Sequence, residues 1–343
     1  MKIALLNLPY DNNYGGNLQR YALMKVLQDM GHTVTHINLR FRKNLPSYKM
    51  PFVYTKRTIG RLIGKRTAPI FEEQIWNRKY KESCKVTDPF YNRYIRHTQE
   101  VYTKRDLQNI ADGFDCYFVG SDQVWRKKIA KEWLPTFFLD FLENTAVKRI
   151  AYGVSLGVRE NELSEKEIIK LGELYNKFDA VSVREDSALL LFHEYGWSLP
   201  QASQVLDPTL LLKASDYSQL IDNSATHSLE GAMLCYILDK TIEKERKVTE
   251  LSRDTGLKPY YLGIIGSNVP SIEQWLRCFR DAQYVVTDSY HGYVFSLIFN
   301  KPVLLLYNER RGNARFESLF KITNDIDKWR LDSEQFLKNS IEQ

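Results

Sequence analysis

Four polar segments of the sequence each follow an apolar stretch and precede a stretch with helical spacing. They are PYDNNYGGNLQ (9–19), VGSDQVW (119–125), SVRED (182–186) and VTDSYHGYVFS (286–296). In parallel α/β sheets, ligands bind where strands end and helices begin, because free backbone N–H groups and the positive end of the helix dipole meet there. The segments therefore predict a site for an anionic ligand.

Two side chains in these segments suit anion chemistry. Arg184 ends its predicted strand and offers a guanidinium fork to a carboxylate or phosphate. His291 follows Thr287, Asp288 and Ser289 at the start of a predicted helix, whose dipole favours anions. The alternatives are an ion pair between Arg184 and a nearby acid, and the structural role that a lone histidine more often has.

The other segments are less specific. Gly15 and Gly16 permit close approach of the backbone to a ligand, but spacing alone favours a flexible turn with a good cap. Neither G-x-G-x-x-G nor a P-loop is present, so the sequence carries no nucleotide-binding motif. Asp122 is either a general acid or base or a turn residue that bonds its own backbone.

The elements that must position these residues alternate between strands and helices in two blocks. The first block has predicted strands at 2–8, 33–40, 115–121, 148–157, 180–185 and 204–212 and helices at 15–30, 164–178 and 186–196; the second has strands at 231–239, 258–264, 284–289 and 303–308 and helices at 244–256, 270–282 and 291–300. This alternation predicts an α/β protein of two doubly wound, mainly parallel, Rossmann-like domains. A polar stretch near 210–230 separates them, which gives domains 1–215 and 216–343, the second ending in a helix.

Local signals set three helix ends. We expect Gly31 to end the first helix, Ser164 and Glu167 to form a capping box, and Asp186 to cap the helix that follows it.

Composition excludes several classes of protein. The 343 residues include 48 Lys+Arg and 42 Asp+Glu, a net charge of +6, with 43% hydrophobic residues. Disordered, collagen-like and disulfide-scaffold chains do not have this composition. The four cysteines lie far apart without a C-x-x-C pair, and no apolar run approaches the ~20 residues that cross a bilayer. The N-terminus is typical of a strand rather than a signal peptide, and the cysteines are scattered, so we expect a cytoplasmic protein. The cysteine spacing does not match a zinc module, and we expect no metal.

Basic charge is concentrated in an aromatic-rich insertion at 41–105 of the first domain. Residues 40–105 hold 17 Lys or Arg, five Asp or Glu and 11 aromatic residues. Within them, KRTIGRLIGKR (56–66) places Ile59, Leu62 and Ile63 at helical spacing. The alternatives are a solvated surface insertion, or a surface for an anionic membrane or a lipid pyrophosphate. Single-stranded nucleic acid is disfavoured because no nucleic-acid module accompanies the segment.

Six motifs in order resemble the polysaccharide pyruvyl transferase family over roughly residues 1–325. They are NYGGNLQRYAL (13–23), VGSDQVW (119–125), IAYGVSLG (150–157), SVRED (182–186), DPT (207–209) and TDSYHGYVFSLIFNKPV (287–303). The resemblance implies a glycosyltransferase-B-like fold, with two Rossmann-like domains facing a cleft. It also implies transfer of pyruvate from phosphoenolpyruvate to a hexose of a surface polysaccharide or its lipid-linked precursor, which yields a ketal and requires no cofactor.

The resemblance also implies roles for individual residues. His291, in the motif DSYHG, is associated with phosphoenolpyruvate, and Arg184 is the arginine of the S-x-R-E motif. We assign both to the donor anion. For acid–base work we favour Asp122, then Glu185, beside His291. The remaining candidates for substrate binding are Asn13, Gly15, Gly16, Gln19, Ser121, Ser155, Thr287, Asp288, Ser289, Arg310 and Arg315, although a solvated face is the simpler interpretation of the last two.

One position departs from the family pattern. The better-understood branch has an arginine two residues before the motif histidine, where this chain has Ser289. The missing guanidinium weakens phosphate binding unless another arginine supplies it.

Two other functions fit the same sequence. A glycosyltransferase of this fold would use a nucleotide sugar, and such enzymes often work without a metal-binding D-x-D motif. A non-catalytic component of polysaccharide assembly, held by the basic insertion, would lose nothing when His291 is replaced.

Overall fold

The computed structural model describes residues 1–142, 146–221, 231–263, 269–307 and 314–342. The first lobe contains a six-stranded parallel sheet in the order β2-β1-β3-β4-β5-β6. Its strands are β1 (Lys2–Leu6), β2 (Thr33–His36), β3 (Cys116–Val119), β4 (Lys148–Val154), β5 (Ala180–Val183) and β6 (Ser203–Gln204). The helices of this part of the chain are α1 (Tyr14–Asp29), α2 (Met50–Leu62), α3 (Glu72–Cys84), α4 (Asp88–Tyr94), α5 (Lys104–Ile110), α6 (Lys127–Ala130), α7 (Glu165–Tyr175), α8 (Asp186–Glu194) and α9 (Ala214–Ser218).

The second lobe contains a four-stranded parallel sheet in the order β10-β9-β7-β8. Its strands are β7 (Ala232–Tyr236), β8 (Lys258–Tyr261), β9 (Tyr284–Thr287) and β10 (Val303–Leu305). The helices that follow are α10 (Ile242–Thr255), α11 (Ile272–Asp281), α12 (Tyr290–Ile298), α13 (Ala314–Ile322) and α14 (Ile326–Glu342). Two parallel sheets with interleaved helices confirm the α/β class and the two Rossmann-like, glycosyltransferase-B-like units.

The predicted helix ends hold with one exception. Gly31 follows α1 with φ +88°, and Ser164 and Glu167 form the capping box of α7. The prediction for α8 was wrong: its N-cap is Glu185, and Asp186 is the first helical residue. The Glu185 carboxylate does not cap the helix because it bonds the loop after β4 instead.

The sixth predicted strand is much shorter than expected. It ends at Gln204, because Asp207 and Pro208 begin a short 3-10 turn. The ring of Pro208 fixes φ, and the Asp207 side chain accepts a hydrogen bond from the Thr209 N–H. Within the basic insertion, the residues at helical spacing lie at the end of one helix: Ile59 and Leu62 belong to α2 (Met50–Leu62), and Ile63 is its C-cap.

The two lobes share one continuous apolar core. Tyr14 at the start of α1 stacks on Trp275 of α11, with ring centroids 5.7 Å apart, and its hydroxyl donates to the Pro270 carbonyl. The C-terminal helix α14 packs back onto the first lobe, where the Ser333 hydroxyl accepts from the Leu206 N–H. The predicted domain boundary at 215/216 falls inside α9. No described helix is long and apolar enough to cross a membrane.

Candidate active site

A cleft of about 420 Å³ lies between the lobes at the carboxyl ends of both sheets. Strand order reverses between β1 and β3 in one sheet and between β7 and β9 in the other, and loops after all four strands line the cleft. In doubly wound sheets, ligands bind at such reversals. The volume is within the ~300–1,000 Å³ usual for small-molecule sites. The polar residues that line it are Asn12, Asn13, Thr87, Asp122, Gln123, Asp288, Ser289, His291 and Arg315.

Behind the cleft, the buried Asp207 carboxylate joins groups from both lobes. Its Oδ2 accepts from Gln19 Nε2 on α1 at 2.7 Å and from Arg184 Nη1 after β5 at 2.5 Å. Its Oδ1 accepts from the Thr209 hydroxyl at 2.6 Å. His291 Nε2, from the second lobe, lies 3.8 Å from Oδ2. Burial alone would raise the pKa of Asp207, but His291 and Arg184 outweigh burial and hold that pKa well below its usual range.

Two arginines flank the ring of Tyr290. The guanidinium carbons of Arg184 and Arg315 lie 4.8 and 5.3 Å from the ring centroid, which is cation–π distance. Arg184 divides its fork between Asp207 and Asp122, with Nη2 2.9 Å from Asp122 Oδ1. Arg315 Nη1 lies 3.6 Å from the same oxygen and borders the cleft. Arg184 is therefore held by Asp207 behind the cleft and by Asp122 in its lining, whereas Arg315 itself lines the cleft.

Asp122 is an ionised carboxylate at neutral pH. Burial would raise its pKa, but Arg184, Arg315 and His291 outweigh burial and lower the pKa below its usual range. An ionised carboxylate can accept a proton but has none to donate, so this geometry favours Asp122 as a base rather than an acid.

The imidazole of His291 packs against Gly15 of the opposite lobe. A Cβ at Gly15 would lie 2.0 Å from His291 Nδ1. Nε2 is buried without a hydrogen-bond partner among the described residues and faces Asp207. The absence of a side chain at Gly15 thus gives His291 its place in the cleft.

The three residues before α12 fix the start of that helix. Ser289 is its N-cap and accepts from the Gly292 N–H at 3.3 Å. The Thr287 hydroxyl donates to the Tyr236 carbonyl. The Asp288 carboxylate accepts from two backbone N–H groups after β7 and pairs with Lys244 Nζ at 2.6 Å. These contacts aim the N-terminus of α12 into the cleft.

Several predicted residues support the cleft from behind. Glu185 Oε1 accepts from the Ser155 hydroxyl at 2.9 Å and from the N–H groups of Leu156 and Gly157, both at 2.8 Å, so this oxygen holds the loop after β4. Gln19, Gly16 and Ser121 are likewise absent from the cleft lining, whereas Asn13 caps α1 at its edge. Arg310 lies outside the described residues. The binding and catalytic roles of all these residues stay predictions.

Sequence reasoning assigned no role to Asp207, Tyr290 or Thr87. Asp207 and Tyr290 belong to the motifs DPT and DSYHG, but a motif does not show which side chains its residues contact. Thr87 belongs to the basic insertion and lines the cleft, and nothing in its sequence context signalled this. Among the described residues, no group of three or more His, Cys, Asp or Glu side chains could hold a metal ion.

A larger groove of about 1,010 Å³ lies on the first lobe, away from both strand reversals. Four of its six basic residues are in ion pairs: Lys127 with Glu167, Arg126 and Lys128 with Glu162, and Arg159 with Glu317. Compensated surface charge is a weak attractor for an anion, so the cleft between the lobes is the stronger candidate.

The comparison with family models agrees with this arrangement of motifs. Residues 13–310 match the family model described as polysaccharide pyruvyl transferase. No curated protein matches the chain in sequence. Solved structures with a similar backbone course include UDP-GlcNAc 2-epimerase from Neisseria meningitidis bound to UDP-GlcNAc, with 9% identity, 99% coverage of each chain and a TM-score of 0.49. Another is the UDP complex of MnaA from S. aureus, with 13% identity, coverage of 97% of this chain and 91% of that one, and a TM-score of 0.48.

Adjacent glycines should respond oppositely to the same substitution. Gly15→Ala forces a Cβ into the His291 ring and should destabilise the fold by about 1–3 kcal/mol. At Gly16 the nearest atom to a new Cβ is 3.4 Å away. Gly16→Ala should therefore be neutral or stabilise the helix by up to ~1 kcal/mol. Urea denaturation measures both; equal stability of the two variants would contradict the packing of His291 on Gly15.

Replacing the shared carboxylate should be far more costly than replacing a surface one. Asp207→Asn leaves Arg184 and His291 without their buried anion and should cost about 3–5 kcal/mol at pH 7. Asp186→Asn removes only a surface pair with Lys321 and should cost less than about 1 kcal/mol.

The pH dependence of stability follows from the lowered pKa values of Asp207 and Asp122. Their contribution is present above the unfolded-state pKa of ~3.9 and is lost as pH falls through the folded-state values. The free energy of unfolding should therefore fall more steeply below about pH 4 in the wild type than in Asp207→Asn. Denaturant titrations across this range would contradict the account if the two slopes agreed.

Proposed function

Because the chain belongs to the polysaccharide pyruvyl transferase family, we propose that it transfers a pyruvyl group from phosphoenolpyruvate to a hexose of a surface polysaccharide or its lipid-linked precursor. The product is a pyruvate ketal. The observation that carries the proposal is the convergence of His291, Arg315 and the N-terminus of α12 on one cleft between the lobes. These groups suit a donor that carries both a phosphate and a carboxylate.

Arg315 supplies the guanidinium that position 289 lacks. It stands on a different element, α13, but lies against the ring of Tyr290, the residue next to Ser289. Burial and the neighbouring Arg184 lower the pKa of Arg315, so an anion placed beside it relieves an unfavourable charge arrangement. We assign Arg315, together with His291, to the donor phosphate or carboxylate.

The reaction needs one acid and one base. A proton added to the methylene carbon of the donor makes it a methyl group and leaves an oxocarbenium-like centre. Two sugar hydroxyl oxygens bond to the oxocarbenium-like carbon, which carries the carboxylate, while the bond from that carbon to the phosphate oxygen breaks. Of the two hydroxyl protons, one replaces the proton that the acid gave to the methylene carbon, and the other leaves with phosphate. We assign the acid to His291 and the base to the Asp122 carboxylate, each worth ~10²–10⁴-fold.

Arg184 and Glu185 act as positioning residues in this proposal. Arg184 orients Asp122 through its 2.9 Å contact and shares Asp207 with His291. Glu185 fixes the loop after β4, whose Ser155 N–H donates to the Asp122 carbonyl. We place the reaction in the cytoplasm, since the four cysteines are free and free cysteines suit a reducing compartment.

Thermal-shift titration tests the donor. Binding to the folded state stabilises it by about 2.7 kcal/mol at a hundredfold excess over Kd. Phosphoenolpyruvate should raise the Tm of the wild type, and His291→Ala and Arg315→Gln should each weaken its binding at least about tenfold, because a charge-assisted hydrogen bond is lost. A panel of nucleotide sugars runs in parallel.

Matched controls are two exposed residues of the same type. His193 and Arg253 are exposed and do not line the cleft. His193→Ala and Arg253→Gln should therefore leave the Tm shift with phosphoenolpyruvate unchanged. A shift with a nucleotide sugar alone would move the assignment to glycosyl transfer. A shift with neither ligand, and no phosphate release from phosphoenolpyruvate in the presence of hexose acceptors, would contradict both enzymatic functions.

A further inference from the structure

Helix α2, with the 3-10 turn before it (Ser47–Lys49), carries an apolar face that the described protein leaves uncovered. Four side chains at helical spacing, Tyr48, Phe52, Ile59 and Ile63, together with the adjacent Leu62, have exposed fractions from 52% to 82%. No residue of α2 is buried. Exposed apolar side chains at this density mark an interaction surface rather than ordinary solvated helix.

The opposite face of α2 holds the helix on the protein. Arg57 donates to both carboxylate oxygens of Glu73, at 2.8 and 2.6 Å, and to the Ile70 carbonyl at 2.9 Å. Tyr54 packs on Phe71, with ring centroids 4.9 Å apart. Because α2 is fixed against α3 on this side, its apolar face points outward.

The charge around the apolar face is of one sign. From Arg40 to Arg66 the chain has nine Lys or Arg residues and no Asp or Glu. Lys49, Lys56 and Lys65 are exposed beside the apolar residues. In the described part of the chain, no acidic side chain forms an ion pair with any of these three lysines. An amphipathic helix with a basic border lies flat on anionic bilayers.

We infer that the α2 face, Tyr48–Lys65, docks on an anionic phospholipid bilayer. A second copy of the chain is a poorer partner, because it would bring two strongly basic segments together. Single-stranded nucleic acid is also poorer, because bases stack on aromatic rings, whereas three of the five exposed apolar side chains, Ile59, Leu62 and Ile63, are aliphatic.

The fold connects this surface to the cleft. Helix α3 starts beside the Arg57 contact and ends at Cys84, two residues before Val86, which lines the cleft with Thr87. Its 13 residues span roughly 20 Å at the rise of an α-helix. Tyr80 on α3 donates to the Tyr10 carbonyl and so fixes the helix to the first lobe. Docking would thus hold the cleft near a lipid-linked acceptor, a consequence that rests on the proposed function.

Vesicle co-sedimentation of the full chain tests the docking. Vesicles of phosphatidylcholine with phosphatidylglycerol should bind the wild type, and phosphatidylcholine alone should bind it much less. Lys56→Gln/Lys65→Gln should weaken binding roughly fivefold per charge, and Phe52→Gln/Leu62→Gln should weaken it about tenfold or more. Ile169 on α7 and Leu331 on α14 are also exposed apolar residues, with exposed fractions of 67% and 66%. As a control, Ile169→Gln/Leu331→Gln should leave vesicle binding unchanged.

Each other outcome overturns the inference. The protein could fail to bind vesicles, bind both vesicle types equally, or bind them equally well with and without the α2 substitutions. It could also form a dimer in sedimentation velocity that Phe52→Gln/Leu62→Gln dissociates. The vesicles contain neither donor nor acceptor, so the result does not depend on pyruvyl transfer. The α2 variants should keep the wild-type thermal shift with phosphoenolpyruvate, which separates failure of docking from failure of the proposed function.

Discussion

The buried carboxylate of Asp207 is the interaction on which the rest of the site depends. A charge out of water is tolerated only when several partners satisfy it. Here the partners come from separate parts of the chain: Gln19 from α1, Arg184 after β5, Thr209 from the turn after β6, and His291 from the other lobe. Each partner is thereby fixed relative to the others. The two lobes are joined by an apolar core and also by the contacts of this one carboxylate.

That charge shapes what the cleft can bind. Two carboxylates, Asp207 and Asp122, face the guanidinium groups of Arg184 and Arg315 and the imidazole of His291. Asp207 and Arg184 lie behind the cleft, while Asp122, Arg315, His291 and the N-terminus of α12 line the cavity. An anion of small volume with two negatively charged groups suits this surface, which is the chemistry of the proposed donor. Gly15 leaves the space in which His291 can reach it.

Sequence reasoning predicted the alternation of strands and helices, because apolar periodicity and caps such as Ser164 with Glu167 are local signals. It also predicted that segments around Asn13, Asp122 and His291 would meet, because strand ends of parallel sheets converge. It could not predict which acid would pair with Arg184, since Asp207 and Asp122 are 23 and 62 residues away in sequence. Nor could it separate Arg315 from the solvated face expected of it, because its burial against Tyr290 is set by packing between α12 and α13. The prediction that Asp186 caps α8 was wrong, because Asp186 is already helical and Glu185 is the N-cap. The Glu185 side chain bonds the loop after β4, a contact that no local signal shows.

The most direct test of the central claim is a crystal structure with phosphoenolpyruvate bound. The account predicts the phosphate or carboxylate at hydrogen-bond distance from His291 and Arg315, at the N-terminus of α12, with Arg184 still paired to Asp207. An anion bound instead in the groove lined by Lys127, Lys131 and Lys170, or a donor held without contact to His291 or Arg315, would contradict it.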